Sequence, residues 1–324
     1  DPCGWKKKPL GGLARKATIL ENFKNDNIYT VDAGNLFFST ELVDEGISSE
    51  AALVNAKIIL DSFNMMGCDA FSPGSKDFAL GKEFILSSSK DAEFPFISCN
   101  IFDLNNNLLF EPYIISEKYG IKVAFIGLSS IFKSEGLVVE DPISSLNKVL
   151  EEVVPKSDIR VLLFSSNDLD MKQLKASEPD LTMIIRSRNK QRASDGGDGI
   201  PTYTIGDKGK ILYKFDLELN QKSLEFVDIA WCEKSIKDSN NRLDKMKKGD
   251  MLADLEQLFK DNPATLNRIL RYESRIENAN QRLENAINKI LINKIELGRD
   301  VNGDVSVLQI VDKGKLKLKE MGAP

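Results

Sequence analysis

Over about the first 230 positions, apolar residues fall into two alternating rhythms. Short continuous runs of strand length alternate with stretches in which apolar residues recur every three or four positions, the signature of an α/β chain. Ile28–Asp32, Ala70–Ser72, Phe96–Asn100, Lys122–Leu128, Arg160–Ser165 and Leu181–Ile185 read as strands. Ser49–Met66 has apolar residues at 52, 53, 56, 59, 60 and 63, one face of a helix. Lys82–Ser88 and Ser144–Val154 read as further helices. Pro201–Ile205, Ile211–Leu219 and Ser223–Trp231 are β-like, and Asn220-Gln221 predicts that the last two form a hairpin closing the sheet with an antiparallel edge.

The pattern changes near Glu233, which predicts one domain over 1–232 and an appendage over 233–324. Asp238–Leu297 is charged and Asn-rich, with Leu266, Ile269, Leu270, Ile276, Ala279, Leu283, Ile287, Ile290 and Leu291 at helical spacing. Asn262 followed by Pro263 is a helix-start signature, so two long helices are expected. Val305–Val311 and Lys315–Leu318, separated by Asp312-Lys-Gly, read as a terminal β-hairpin.

Composition narrows the chemistry. The formal charge of −5 gives no global basic footprint for nucleic acid, and the apolar runs are too short to span a bilayer. The four cysteines are too far apart for a zinc ribbon or a redox pair, and Cys68 and Cys99 read as core residues. There is no histidine in 324 residues, where average usage would supply about seven. Histidine bases, ligands and pH switches are thereby excluded. Ser165 and Ser166 have no imidazole to activate them as nucleophiles, and Gly11-Gly12 lacks the Lys-Ser/Thr of a phosphate loop. No cofactor is expected.

Ligands of α/β folds gather at the carboxyl ends of strands, and those loops carry a family pattern. Cys3-Gly-Trp with Pro9-Leu-Gly-Gly-Leu-Ala-Arg-Lys-Ala-Thr-Ile-Leu20, Val31-Asp-Ala-Gly-Asn-Leu-Phe-Phe38 and Asn64-Met-Met-Gly-Cys-Asp-Ala-Phe-Ser-Pro-Gly-Ser-Lys-Asp-Phe78 stand in sequence order. Phe94-Pro-Phe-Ile-Ser-Cys-Asn-Ile101 and Ile126-Gly-Leu128 follow. Together they resemble the 5′-nucleotidase-like metallophosphatases of the calcineurin-like phosphoesterase superfamily over about residues 3–230. The resemblance implies a two-sheet α/β sandwich (α/β/β/α), here with a C-terminal helical arm and small β-hairpin. It also implies a bimetallic site that polarises phosphate and lowers the pKa of the attacking water.

Carried over residue by residue, the ligand set fails. The bridging Asp falls on Asn35, the Asn ligand on Ser75 and the catalytic His on Lys76; the adjacent acid survives as Asp77, and Asp32 precedes the bridging position. The fourth-loop His falls near Ser165 or Ser166, and the final Gly-His-x-His aligns with Arg186, Ser187, Arg188 and Asn189. The first Asp motif would precede Cys3. Compositional drift would spare the Asp and Asn ligands, so a dismantled centre is expected rather than a His-poor proteome.

The expectation is therefore a non-catalytic structural or interaction subunit, exported to the periplasm, cell surface or exterior, with possible peripheral envelope association. Its protein partner would meet the 238–297 arm, unless that arm packs on its own sheet. Two alternatives stand beside it. Asp32 and Asp77 could hold one weakly bound hard cation and support slow phosphoester hydrolysis. Lys76, Arg186, Arg188 and Arg192 could form a metal-free anion or nucleotide pocket, or could simply pair with Asp32 and Asp77.

Overall fold

The computed structural model describes residues 10–24, 27–187, 199–206, 208–222 and 224–323. The chain forms two compact units. One comprises Asp1–Leu212 with Lys294–Pro324, the other Tyr213–Asn293. The expected boundary at 232/233 therefore gives way to an inserted unit, after which the chain returns to the first.

In the larger unit, the continuous apolar runs become the central strands of a five-stranded sheet. β4 (Tyr113–Lys118), β5 (Ile121–Ser129), β7 (Ile159–Ser165), β8 (Met183–Ser187) and β9 (Thr202–Thr204) lie in that order. β5, β7, β8 and β9 are parallel, and β4 pairs antiparallel with β5 at the edge. Burial of Val123–Leu128 and Val161–Phe164 explains their lack of alternation. α4 (Pro142–Val153) and α5 (Asp168–Ala176) pack on this sheet through Leu146, Val149, Leu150, Met171 and Leu174.

A second, phenylalanine-rich core joins α2 (Ser49–Met66) to a two-stranded parallel sheet, β1 (Val31–Asp32) with β2 (Ala70–Phe71). Phe37, Phe71, Phe94 and Phe96 interlock there, with the Phe71 and Phe96 centroids 4.7 Å apart edge to face. α2 begins where the sequence places it, because Ser48 Oγ accepts the Ala51 N–H at 3.1 Å. α3 (Gly81–Asp91) follows. The expected strand Phe96–Asn100 forms only isolated bridges, Phe71 to Phe96 and Ile97 to Glu111. Regular pairing starts after it, between β3 (Ile101–Asp103) and β6 (Leu137–Val139). Burial pushes the Cys68 and Cys99 thiols up to about 12, as suits core residues.

The expected terminal hairpin is instead one helix, α9 (Val305–Glu320). Asp304 caps it by accepting the Val307 N–H at 2.9 Å. Val307, Val311 and Leu318 pack against the first helix, α1 (Leu13–Glu21), and against α2. Gly314 looked like a turn residue, but it sits in the helix interior at a close crossing. A Cβ there would lie 2.3 Å from Ile58 Cδ1.

The smaller unit also departs from expectation. β10 (Ile211–Glu218) and β11 (Phe226–Asp228) do not form a hairpin, because β12 (Asn288–Glu296) lies between them. Asp228 ends β11 by accepting the Trp231 N–H at 2.9 Å, which starts α6 (Ile229–Met246). A short α7 (Leu255–Leu258) and the long α8 (Pro263–Glu284) follow, and Asn262 caps α8 as its sequence predicts. The apolar stripe does not continue as helix to Leu291. Past Asn285 the isoleucine-rich run becomes β12, anchored by the fully buried Asn288. Its Oδ1 accepts from the Asn220 and Gln221 N–H groups, and its Nδ2 donates to Gln221 and Leu224 carbonyls.

Candidate functional site

Strands β1, β5, β7 and β8 deliver their carboxyl ends to one place. Register puts Ser129, Ser165 and Ser187 side by side at the ends of β5, β7 and β8. The chain leaves β1 through Ala33-Gly34-Asn35, with φ of +96° at Gly34 and 60° at Asn35. Gly34 tolerates this conformation at no steric cost. It also must lack a side chain, since a Cβ would lie 2.3 Å from the Ser72 carbonyl oxygen.

Asn35 points into the row of serines. Its Nδ2 donates to Ser165 Oγ and Ser187 Oγ, each at 3.1 Å, and its Oδ1 accepts the Lys76 N–H at 3.2 Å. Ser187 Oγ in turn donates to the Ala33 carbonyl at 2.7 Å. Gly74 closes the remaining space, because a Cβ on it would lie 2.3 Å from Ser165 Oγ and 2.8 Å from Asn35 Oδ1. The side chains are thus packed against one another by direct hydrogen bonds.

Asp77 is wholly buried and accepts four backbone N–H bonds. Oδ2 accepts the Asn35 and Gly74 N–H groups at 2.7 and 2.8 Å, while Oδ1 accepts those of Leu36 and Phe37 at 2.7 and 2.9 Å. Burial pushes its pKa up to about 6, with the N–H donors of Phe37, Gly74 and Asn35 pulling against it. Through these four bonds Asp77 ties the β1 loop to the 3₁₀ turn Ser75–Phe78. Asp32 is half-buried, accepts the Gly34 N–H at 3.0 Å, and is also raised by burial, with Lys16 opposing.

The expected cations are placed as follows. Arg186 is buried on β8, its Nε and Nη2 donating to the Ser166 carbonyl at 3.3 and 3.0 Å and its Nη2 to Asp168 Oδ1 at 3.0 Å. Lys76 is also buried, and its charge helps lower the Asp44 carboxyl after the Thr40 and Ser39 hydroxyls. Ser75 Oγ donates to Glu41 Oε1 at 2.8 Å. The buried Ser166 Oγ has no hydrogen-bond partner among the described residues. Arg188, Asn189 and Arg192 lie outside the described residues.

These residues do not fit a pair of divalent cations. The bridging position offers an amide whose nitrogen and oxygen are both engaged, and each Asp77 oxygen already accepts two backbone bonds. Among the described residues, no group of three or more His, Cys, Asp or Glu side chains is placed to hold a metal ion. Arg186 is likewise already engaged, through Nε and Nη2, with the Ser166 carbonyl and Asp168. Glu41 and Asp168 shape this region but were not singled out from sequence. Asp168 had a local signal, since Asn167 ahead of it caps α5 by accepting the Asp170 N–H.

Comparison with known proteins places the chain among distant relatives. The chain is 29% identical over 154 residues to a 5′-nucleotidase of Vibrio cholerae, covering 45% of this chain and 28% of that protein. It is 25% identical over 217 residues to a 5′-nucleotidase of Vibrio parahaemolyticus, covering 67% and 35%. This chain is a distant homologue of the 5′-nucleotidase-type metallophosphoesterases. The homology extends over about two thirds of its length and spans roughly a third of those curated relatives. The crystal structure of the calcineurin-like phosphoesterase YfkN from Bacillus subtilis shares the fold, with a TM-score of 0.54 at 20% identity over 66% of this chain and 79% of that one. No protein-family model matches the chain. Among the described residues, no helix is long and apolar enough to cross a membrane.

Proposed function

We propose that this metallophosphoesterase homologue is catalytically silent and serves as a structural or interaction subunit of an exported or envelope assembly. The observation that carries this reading is Asn35. Where the family places a carboxylate between two cations, this chain places an amide that donates to Ser165 and Ser187 and accepts from Lys76. A carboxylate bridge attracts cations, whereas an amide with its donor and acceptor atoms engaged offers them nothing.

Export is inferred from the family, one of whose structural neighbours is a 5′-nucleotidase precursor from Thermus thermophilus. The 238–297 segment remains the proposed partner-facing element, and exposed Met251, Leu252, Leu258 and Leu270 support that role. The weak-phosphoesterase and anion-pocket readings gain no supporting observation: Asp77 accepts four backbone bonds, Arg186 is engaged with Ser166 and Asp168, and Arg188 and Arg192 lie outside the described residues.

The test is turnover of a generic phosphodiester and of a nucleoside monophosphate, with manganese or zinc added. No turnover above the level of an Asn35→Ala variant is expected. Metal-dependent turnover lost on substitution of Asp32 or Asp77 would overturn the reading.

A further inference from the structure

Two loops and the first turn of α5 around the Asn35 cluster carry large apolar side chains into solvent. Leu42, Ile131 and Leu169 are 77, 61 and 64% exposed. Such exposure is unremarkable when the segments are slack, but these are pinned. Glu41 accepts from Ser75 Oγ at 2.8 Å, beside Leu42. Phe132, beside Ile131, packs against Phe78 with centroids 5.0 Å apart and rings tilted by 39°. Ser130 Oγ accepts the Asn167 N–H at 2.9 Å, and Ser130 N–H donates to the Ser165 carbonyl at 2.8 Å, which brings the second loop and the α5 turn together. Arg186 holds Asp168 from below. The three apolar side chains thus stand on a tethered rim around the Asn35 cluster.

The rim is also acidic. Segments 39–46, 130–136 and 167–170 contain Glu41, Asp44, Glu45, Glu135, Asp168 and Asp170 against Lys133, and with Arg186 paired to Asp168 and Lys76 acting on Asp44 the carboxylates remain in excess. A complementary surface exists on the same compact unit. On α9, the face opposite Val307 and Leu318 exposes Val305, Leu308 and Leu316, the first at 67% and the last at 58%. Exposed Lys313, Lys315, Lys317 and Lys319 surround Leu316, against Asp312 and Glu320. The carboxyl-terminal half of α9 therefore carries local positive charge on a chain whose formal charge is −5.

We infer that copies of this chain associate head to tail, the outer face of α9 of one copy seating on the apolar, acidic rim of the next. Apolar contact supplies the attraction, and opposite charge supplies orientation. Because the two surfaces differ, the contact is heterologous and grows open chains or rings rather than closing a two-fold dimer. This rests on the proposed reading of the Asn35 cluster as a non-reacting site, since seated copies would cover it.

Sedimentation velocity of the full chain, over a concentration series at low and high salt, tests the inference. Association that grows with concentration and weakens with salt is expected. Leu42→Ser with Leu169→Ser, or Leu308→Ser with Leu316→Ser, should each weaken it by about tenfold or more. These side chains are exposed, and unchanged unfolding midpoints will show that the fold is intact. A chain with Lys315→Glu and Lys319→Glu, and a second with Glu45→Lys and Glu135→Lys, should each fail to self-associate yet bind each other. A wild-type chain that stays monomeric throughout, or association indifferent to both serine pairs, would overturn the inference. Phosphodiester turnover by a chain that still associates would sink the silent-enzyme reading alone.

Discussion

Replacing Asn35 with alanine removes three hydrogen bonds from one side chain: two donated to Ser165 and Ser187 and one accepted from Lys76. Each is worth about 1 kcal/mol net. Alanine must also hold the left-handed backbone at φ 60°, which costs an L-residue roughly 1–2 kcal/mol. The expected loss is about 4 kcal/mol, a large share of an ordinary domain's stability. Asn35→Gly separates the causes. Glycine loses the same three bonds but escapes the backbone strain, at an entropic cost of about 0.5–1 kcal/mol, so it should be the more stable of the two by roughly 0.5–1 kcal/mol. Urea unfolding followed by circular dichroism gives the totals. Amide exchange at the ends of β7 and β8 assigns the loss to this unit. An alanine variant within about 1 kcal/mol of wild type would refute the claim that Asn35 holds the strand ends together. A glycine variant no better than alanine would refute the strain component.

Three further outcomes follow from the same geometry. Asp77 is raised by burial from 3.8 to about 6, so the stability it contributes is fully present below 3.8 and lost as pH rises through about 6, up to about 3 kcal/mol. Unfolding at pH 5 and pH 7 should show wild type weaker at the higher pH, with Asp77→Asn flattening the slope; the opposite slope would mean that the four amide donors outweigh burial. Asp32, also raised, adds to the slope with the same sign. Gly74→Ala places a Cβ 2.3 Å from Ser165 Oγ and should cost about 1–3 kcal/mol as overpacking, read as a lowered urea midpoint; an unchanged midpoint would show the cluster to be loose. Asn35→Asp turns the amide donor into an acceptor and buries a charge near Asp32 and Asp77. It should lose about 2 kcal/mol or more from the two donated bonds that added manganese does not restore, and full recovery in a thermal melt with manganese would show a latent metal site.

Legibility followed the range of the forces involved. The extent of α2 was plain because its cap and apolar stripe are local, and β5 and β7 were plain because burial on both faces leaves no polar alternation. Long-range contacts were not readable. β12 slips between β10 and β11 from a distant part of the chain, so a local hairpin signal at Asn220-Gln221 misled. Gly314 was read as a turn because nothing in its neighbours announces Ile58, the residue against which it packs. The candidate site divided in the same way. The order of motifs pointed to the loops that carry Asn35, Asp77, Ser165 and Ser187, which hydrogen bonds bring together. It could not disclose that Asn35 bonds to serines 130 and 152 positions away, or that Asp77 spends both oxygens on backbone amides. Arg186 shows the converse, a cation legible as a candidate but neutralised by Asp168 and a carbonyl that no spacing rule links to it.

Metal content of the purified chain tests the closed centre most directly. After incubation with manganese and zinc and removal of the excess, elemental analysis should find no stoichiometric metal in wild type, because Asn35 and Asp77 are engaged by the protein itself. Stoichiometric metal that is lost in Asp32→Asn or Asp77→Asn would contradict that conclusion and restore a working centre to these strand ends.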